Sequence, residues 1–470
     1  MAMFIKQLYT GCLSEAAYYI DSEGEAAIID PLRDIDVYLQ LAKERGATIK
    51  YIFETHFHAD FVSGHLDLSK ATGAPIVYGP RTETQFPIHL AKDGEQFSLG
   101  DSTIEVLHTP GHTIESTCYL VRTEDGKPHA IFTGDTLFVG DVGRPDLSSG
   151  NLNKEELAGM LYDLFCSKIM PLPDDVTVYP AHGPGSSCGK NLGPNTYSTI
   201  ADEKEGNYAL KEQTREEFIK AVTEGLDAPP SYFQINARIN KEGYESLEDV
   251  LKAGLNPLDA RAFQQLANDD DTIVLDTRKA TDFTEGFVPG AISIGLDGRF
   301  AEWAGSLLPF DRPILLVTAP GEEKESVVRL ARVGFNKMKG YLEGGFAAWQ
   351  QAGLPIDMVI DVEADELAMD IPFDENLLVV DVRRETEFAD GHVKGALNLP
   401  LNDLTDPGSM ANLEEHYNIY LHCGGGYRSI IAASMLKRQG IHNIRNVAGG
   451  WSKIKDQKGI EIEKENSVLN

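Results

Sequence analysis

The sequence predicts an α/β protein of three domains, built from short strands that alternate with helices. Its 470 residues exceed what one hydrophobic core usually covers, since domains commonly have about 150 residues. In the first half, short apolar runs such as residues 26–30 alternate with amphipathic stretches such as residues 34–45. The second half contains an internal repeat, which predicts two copies of one β/α fold.

Composition excludes several classes of partner. The net charge is −31, with 73 acidic and 42 basic residues, whereas a nucleic-acid or anionic-membrane surface needs clustered Lys and Arg. The sequence has no apolar run of the roughly 20 residues that cross a bilayer, and its first residues lack the pattern of a signal peptide. Five cysteines, an odd number, form no disulfide framework. We therefore expect a cytoplasmic protein.

Four predicted strands in the first half end at side chains that can bind a metal. Alternation along an extended segment places His56, His58 and Asp60 on one side of it. One such histidine would more often be structural, but four strand ends of the same kind predict a metal site. The strands and the side chains that follow them are 49–53 with His56, His58 and Asp60; 103–108 with His112; 130–133 with Asp135; and 176–179 with His182.

This order of motifs resembles the metallo-β-lactamase superfamily over about residues 1–230. The resemblance implies an αββα sandwich that gathers metal ligands at one edge. Dinuclear members carry an H-x-H-x-D-H run, and Phe61 stands here where the third histidine would be. That difference removes a direct ligand of a second metal and weighs against a two-zinc thioester hydrolase.

The Gly143-Arg-Pro-Asp146 segment resembles the persulfide dioxygenase branch of that superfamily. The resemblance implies a single Fe(II) per chain, held by His56, His112 and Asp135. Two imidazoles and one carboxylate on one face leave positions for a persulfide sulfur and O2 side by side. The other motif residues would be outer-shell or water partners: His58, Asp60 and His182.

Two further residues in this half have two interpretations each. Arg144 is a candidate for orienting the substrate, because a guanidinium fixes planar anions; alternatively, it forms an ion pair with Asp146 or Asp141 that shapes its loop. Cys12 follows a predicted first strand and can face the pocket, or it is a small buried side chain of no catalytic role.

The internal repeat has a constant offset of 105 residues. Residues 272–278 and 377–383 correspond, and Gly344-Gly345 corresponds to Gly449-Gly450. Both copies resemble the rhodanese family, with its D-x-R, G-H-x-x-G-A and G-G-W markers. We expect a metallo-β-lactamase-like domain at 1–230, a linker at 231–257 with a short helix near 246–252, and rhodanese-like α/β domains at 258–356 and 357–470.

Only the second copy carries a candidate nucleophile. The strand 418–421 enters a glycine-rich loop with Cys423 and Arg428, followed by the predicted helix 430–439. Inward-turned amides and a helix start would stabilise the Cys423 thiolate or its persulfide. Thr318 takes this place in the first copy, whose loop has three acidic side chains, so we expect that copy to be catalytically silent. The substrate-binding positions of the loop would be Gly424, Gly425, Gly426 and Tyr427.

The sequence thus predicts a persulfide dioxygenase fused to a sulfurtransferase. Its small molecules would be a low-molecular-weight thiol persulfide, O2, and sulfite or thiosulfate, with transfer through Cys423 in either direction. The silent domain suggests an assembly role and a homo-oligomer. One alternative is a zinc thioester hydrolase of the glyoxalase II type fused to a sulfur-carrier domain. A second is a non-enzymatic sulfur relay or scaffold.

Overall fold

The computed structural model describes residues 3–147, 152–226, 228–410, 413 and 417–465. The chain divides into two compact units. The first comprises residues 1–247 and 331–334, and the second comprises residues 248–330 and 335–470. Within the described residues, no helix is both long and apolar enough to cross a bilayer, and all five cysteines are free.

Two six-stranded sheets form the first unit. In spatial order, the first sheet consists of Phe4–Thr10, Glu15–Ser22, Glu25–Ile29, Thr48–Glu54, Ile76–Tyr78 and His89–Leu90. The second consists of Ser198–Thr199, Thr177–Pro180, Pro128–Gly134, Thr117–Arg122, Ser102–His108 and Gln96–Leu99. A separate ribbon pairs Leu137–Phe138 with Asp141–Val142.

The core of the first unit lies between the two sheets, which pack through aromatic side chains. Phe53 of the first sheet lies 4.7 Å from Tyr119 of the second, measured between ring centroids, and Tyr18 lies 4.8 Å from Phe132. Such pairs favour tilted or edge-to-face contacts. Helices cover both outer faces, so the predicted αββα sandwich is confirmed. These helices are Asp36–Arg45 and His65–Thr72 on one face, and Lys154–Leu164 and Arg215–Thr223 on the other.

The segment predicted as a linker, residues 231–257, is mostly helical. It contains the helices Phe233–Glu242 and Leu247–Gly254; the second matches the predicted short helix, and the first was not predicted. The first compact unit extends to Leu247 rather than ending at residue 230. The reason is burial: Asn236 and Asn240 of the first of these helices are fully buried.

The second unit contains two parallel five-stranded sheets of equivalent strand order, as the repeat predicts. The first sheet is Pro257–Leu258, Met338–Leu342, Ile314–Val317, Ile273–Asp276 and Ile292–Ser293. The second is Ile360–Val362, Ile444–Val447, Asn418–His422, Leu377–Asp381 and Leu397–Asn398. The helices are Ala260–Ala267, Ala280–Glu285, Phe300–Leu307, Glu323–Arg332 and Gly345–Gln351 in the first copy, and Ala364–Asp370, Glu385–Ala389, Tyr427–Arg438 and Trp451–Ile454 in the second.

The D-x-R marker has the same structural role in both copies. Arg278 forms a buried ion pair with Asp276 and donates to the Gly286 carbonyl at 2.9 Å. Arg383 does the same with Asp381 and the Gly391 carbonyl, at 2.7 Å. Because charge-assisted, two-point hydrogen bonds fix geometry, this marker fastens a strand end to the following turn and is not itself a reactive group.

Candidate functional site

Three of the predicted ligands come together at one edge of the first unit. His56 follows the strand Thr48–Glu54, His112 follows Ser102–His108, and Asp135 follows Pro128–Gly134. Asp135 Oδ2 lies 3.4 Å from His112 Nε2 and 3.8 Å from His56 Nε2. The ligand atoms of all three residues lie within 4.8 Å of one another, and all three side chains are buried.

The surroundings of these side chains fit a bound cation. His112 Nδ1 donates to the Arg144 carbonyl over 2.8 Å, and His56 Nδ1 lies 3.0 Å from Thr55 Oγ1, so each Nε2 is oriented toward the centre. Both oxygens of the buried Asp135 carboxylate lack a hydrogen-bond partner among the described residues. Burial, reinforced by neighbouring histidines, lowers the pKa of His56 well below its ordinary value. The imidazole is therefore neutral, as metal ligation requires.

His58 does not join this group, although it lies only two residues after His56. Its Nε2 lies 3.1 Å from Asp30 Oδ1 and 3.5 Å from Glu54 Oε2. Burial by itself would lower the pKa of His58, but the two carboxylates raise it well above the ordinary value. A protonated imidazole donates hydrogen bonds and offers no lone pair to a metal.

Asp60 and His182 form a second group, on the other side of the Asp135 carboxylate. His182 Nε2 lies 3.5 Å from Asp60 Oδ2 and 3.5 Å from Asp135 Oδ1. The buried Cys188 completes this group, in which the three ligand atoms lie within 4.8 Å of one another. Cys188 was not predicted as a site residue, because it lies in a loop with no strand-end pattern. Asp135 thus stands between two sets of possible ligands.

Phe61, which stands where the resemblance implied a third histidine, is fully buried. Its ring centroid lies 4.3 Å from that of His58. The loop between them is held by Asn240, whose Nδ2 donates to the carbonyls of His58 and Phe61, both at 2.8 Å. Asn240 Oδ1 accepts a hydrogen bond from the Ser63 amide at 2.9 Å. Asn240 therefore fixes the backbone between His58 and Ser63 although it lies 182 residues after His58, and local sequence patterns do not reveal this contact.

The structure pairs Arg144 with Asp146 through two hydrogen bonds of 2.8 Å. This contact is the ion pair that was expected to shape the loop. The other interpretation, in which Arg144 orients a substrate, stays a prediction. The Arg144 backbone has a direct role, since its carbonyl orients His112. Cys12 is a free, partly exposed thiol.

Gly143 allows that loop to approach the ligands closely. A Cβ at this position would lie 1.8 Å from the Asp135 carbonyl oxygen and 3.1 Å from His112 Nδ1. Real Cβ atoms are never that close to a carbonyl oxygen, so any other residue would displace the loop from Asp135 and His112. The sequence had identified the Gly-Arg-Pro-Asp segment by resemblance, and this contact gives its first residue a physical role.

The second candidate site is the buried thiol of Cys423, in the second unit. The Gly426 amide donates to Cys423 Sγ at 3.1 Å, and Gly426 adopts a φ of 111° that suits glycine. The next helix begins at Tyr427, three residues before the predicted start. Its positive end therefore lies closer to the sulfur than predicted.

Arg428, predicted to close the loop, is held by Glu387. Its two terminal nitrogens lie 2.7 and 2.9 Å from the Glu387 carboxylate. The hydrogen bond from Arg428 lowers the pKa of Glu387, so this carboxylate stays ionised and fixes the guanidinium. Glu387 was not predicted as a site residue. In the first copy, the buried Thr318 occupies the position of Cys423.

Comparison with known proteins agrees with this architecture. The model of the metallo-beta-lactamase superfamily matches residues 10–182. A cytoplasmic hydroxyacylglutathione hydrolase of Arabidopsis thaliana is 32% identical over 183 residues, which are 38% of this chain and 67% of that protein. The chain belongs to the metallo-beta-lactamase superfamily. In the second half of the chain, the rhodanese-like domain model matches twice, at residues 259–352 and 363–457.

Two further relatives show how much of this chain is covered by similar proteins. A probable hydroxyacylglutathione hydrolase of Schizosaccharomyces pombe is 30% identical over 181 residues, 37% of this chain and 66% of that protein. The chain thus spans about two thirds of the length of these relatives. A crystal structure described as a metallo-beta-lactamase from Staphylococcus aureus is 33% identical, with a TM-score of 0.66. It covers 73% of this chain, and 99% of its own chain is covered.

Proposed function

We propose that the protein oxidises a low-molecular-weight thiol persulfide to sulfite at a single iron, and transfers sulfane sulfur through Cys423. The observation that carries the proposal is the separation of His56, His112 and Asp135 from His58. The first three face one another, whereas His58 is bound by Asp30 and Glu54. A facial set of two imidazoles and one carboxylate is typical of non-haem Fe(II) oxygenases.

The overall oxidation balances with O2 as the only oxidant. One persulfide R-S-SH, one O2 and one water yield R-SH and sulfurous acid, which ionises to sulfite. The outer sulfur loses four electrons, and O2 accepts them. Bound Fe(II) would supply the redox chemistry that brings the sulfur and O2 together. The Arg144 carbonyl and Thr55 Oγ1 orient His112 and His56, Asn240 holds the backbone between His58 and Ser63, and the three ligand side chains are buried from bulk water.

Sulfur transfer at Cys423 needs no oxidant. The thiolate attacks the outer sulfur of a persulfide, a new S–S bond forms, and the carrier thiol leaves. Sulfite then attacks the outer sulfur on Cys423, which releases thiosulfate and restores the thiolate. The reverse sequence uses the same groups. The amide of Gly426 and the fixed guanidinium of Arg428 support an anionic sulfur here.

Metal content and O2 uptake test this function together. We expect about one iron per chain and O2 consumption that depends on glutathione persulfide or another persulfide, with sulfite as the product. Adding sulfite and persulfide without O2 should give thiosulfate. Two zinc ions per chain with no persulfide-dependent O2 uptake would refute the dioxygenase.

A second candidate is a two-metal thioester hydrolase with a sulfur-carrier domain. The observation that favours it is the second ligand group, Asp60, His182 and Cys188, which shares Asp135 with the first. The relatives named as hydroxyacylglutathione hydrolases support the same alternative. Hydrolysis of S-lactoylglutathione by the zinc-loaded protein, without O2 uptake, would select this candidate.

A further inference from the structure

The Cys423 thiol opens into a cavity that both rhodanese-like copies line. The cavity has a volume of about 600 Å³. Its walls in the second copy include Cys423 and Arg428, and its walls in the first copy include Arg299 and Trp303. Thiosulfate and sulfite have only a few atoms each, whereas cavities of this volume bind much larger molecules. The cavity therefore has room for the body of a carrier as well as for its sulfur.

The first copy is attached directly to the reactive loop of the second. The Tyr427 hydroxyl donates to the Gly295 carbonyl at 2.7 Å. A Cβ on Gly298 would lie 2.3 Å from Tyr427 Cζ, so the tyrosine ring lies against the bare backbone of Gly298. Further along the helix that begins at Tyr427, Ser434 Oγ accepts from the Ser293 amide at 3.0 Å. These contacts fix the position of the first copy's wall relative to the thiol.

The wall has the chemistry of a site for an anionic organic molecule. Arg299 of the first copy and Arg384 of the second both line the cavity, together with Arg428. Arg299 is exposed to solvent and forms an ion pair with Glu302, so it can also meet a carboxylate that enters the cavity. The half-buried Trp303 offers an aromatic face beside it. Arginine side chains bind carboxylates through charge-assisted hydrogen bonds, and the tryptophan ring offers a large apolar contact surface.

We propose that the cysteine-lacking copy supplies a carrier-binding subsite, formed by Arg299 and Trp303, for a carboxylate-bearing thiol persulfide whose outer sulfur is delivered to Cys423. The inference rests on the proposed sulfur transfer at Cys423. It gives the silent copy a role in choosing the donor. Thiosulfate, as a small donor, needs only the loop and Arg428.

The test compares two donors on the full chain under argon, so that only sulfur transfer is measured. Glutathione persulfide with sulfite as acceptor reports the large donor, and thiosulfate with cyanide as acceptor reports the small one. Arg299→Ala and Trp303→Ala should each raise KM for glutathione persulfide about tenfold, the loss of one charge-assisted or aromatic contact. Their kcat/KM for thiosulfate should stay within about twofold of wild type, a smaller change in free energy than the loss of one such contact.

Matched controls come from the same unit. Arg261→Ala removes an exposed arginine of the first copy, and Phe373→Ala removes an aromatic side chain that is 87% exposed; neither residue lines the cavity. Both controls should leave both donors unchanged. Because Arg299 is exposed, its variant keeps the test valid if Trp303→Ala fails to fold.

Two results would overturn the subsite. Equal losses with both donors would mean that the wall only supports the loop, and unchanged KM values would mean that it binds no carrier. If the wild-type protein transfers sulfur from neither donor, the proposed function fails first, and the subsite fails with it.

Discussion

Asn240→Ala should loosen the loop from His58 to Ser63, which follows the candidate metal ligand His56. Asn240 is fully buried and makes three hydrogen bonds to the backbone between His58 and Ser63. Removing its amide leaves two carbonyls and one amide of that loop without partners. Leaving a buried polar group without its partner costs about 1–3 kcal/mol. The free energy needed to open the loop should therefore fall by on the order of 3 kcal/mol or more.

Hydrogen exchange measures this loss at the loop itself. A change of about 3 kcal/mol raises the population of the open loop on the order of a hundredfold. The Ser63 amide, now without its acceptor, should exchange faster by that factor if the loop opens locally. Metal content should fall in parallel, because His56 and Asp60 lie on or next to the same loop.

The same helix provides a matched control. Asn236 lies one turn earlier and is also fully buried, but its side-chain amide has no hydrogen-bond partner among the described residues. Asn236→Ala therefore removes a similar volume without breaking a contact to the loop. If the two variants exchange at the same rate around Ser63 and retain the same metal, Asn240 does not hold the loop, and the reasoning is wrong.

Three further predictions separate the two sites. His112→Ala should lose bound metal and persulfide-dependent O2 uptake while retaining sulfur transfer from thiosulfate; metal retained at the wild-type level would contradict the ligand assignment. Cys423→Ser should lose thiosulfate formation while oxidation of persulfide to sulfite continues, and the exposed Cys166→Ser serves as its control. Unchanged turnover in Cys423→Ser would instead support a non-enzymatic relay. Gly143→Ala should lower metal content and O2 uptake, because its Cβ would clash with the Asp135 carbonyl. Gly206→Ala, where a Cβ meets nothing within 4 Å, should behave like wild type in both measurements.

The sequence predicted the parts of the site that depend on local pattern. His56, His112 and Asp135 each follow a strand, and the ends of strands in one sandwich meet at one edge. The Cys423 loop was predictable for the same reason, since its glycines, thiol and arginine are consecutive. The repeat likewise predicted two sheets of equivalent order, because a constant offset preserves the order of elements.

The parts that were not predicted are contacts between distant segments. The partners of His58 lie on two different strands, at Asp30 and Glu54. Asn240 donates to the His58 carbonyl across 182 residues, and the cavity wall that contains Trp303 belongs to the repeat that lacks the Cys423 thiol. Hydrophobic periodicity identifies which face of an element is buried, but not which polar side chain of another element meets it. The burial of Asn236 and Asn240 was not predicted for this reason, since their helix is polar.

The environment of His58 bears directly on how many protein ligands the candidate metal site beside His56 has. To ligate a metal beside His56, His58 would have to leave Asp30 and Glu54, both of which are fully buried. Removing the partner from a buried charged group costs about 3–5 kcal/mol, and burial already raises the pKa of Asp30 despite the neighbouring imidazole. The free energy of the metal bond would have to exceed that cost. Asp135 needs no such rearrangement, since it has no other hydrogen-bond partner among the described residues. His112 needs none either, because its hydrogen bond uses Nδ1 and not Nε2. We therefore expect the proposed metal site to have three protein ligands and open positions, rather than a fourth ligand from His58. Such a site suits two small reactants bound side by side, which is the requirement of the proposed oxidation.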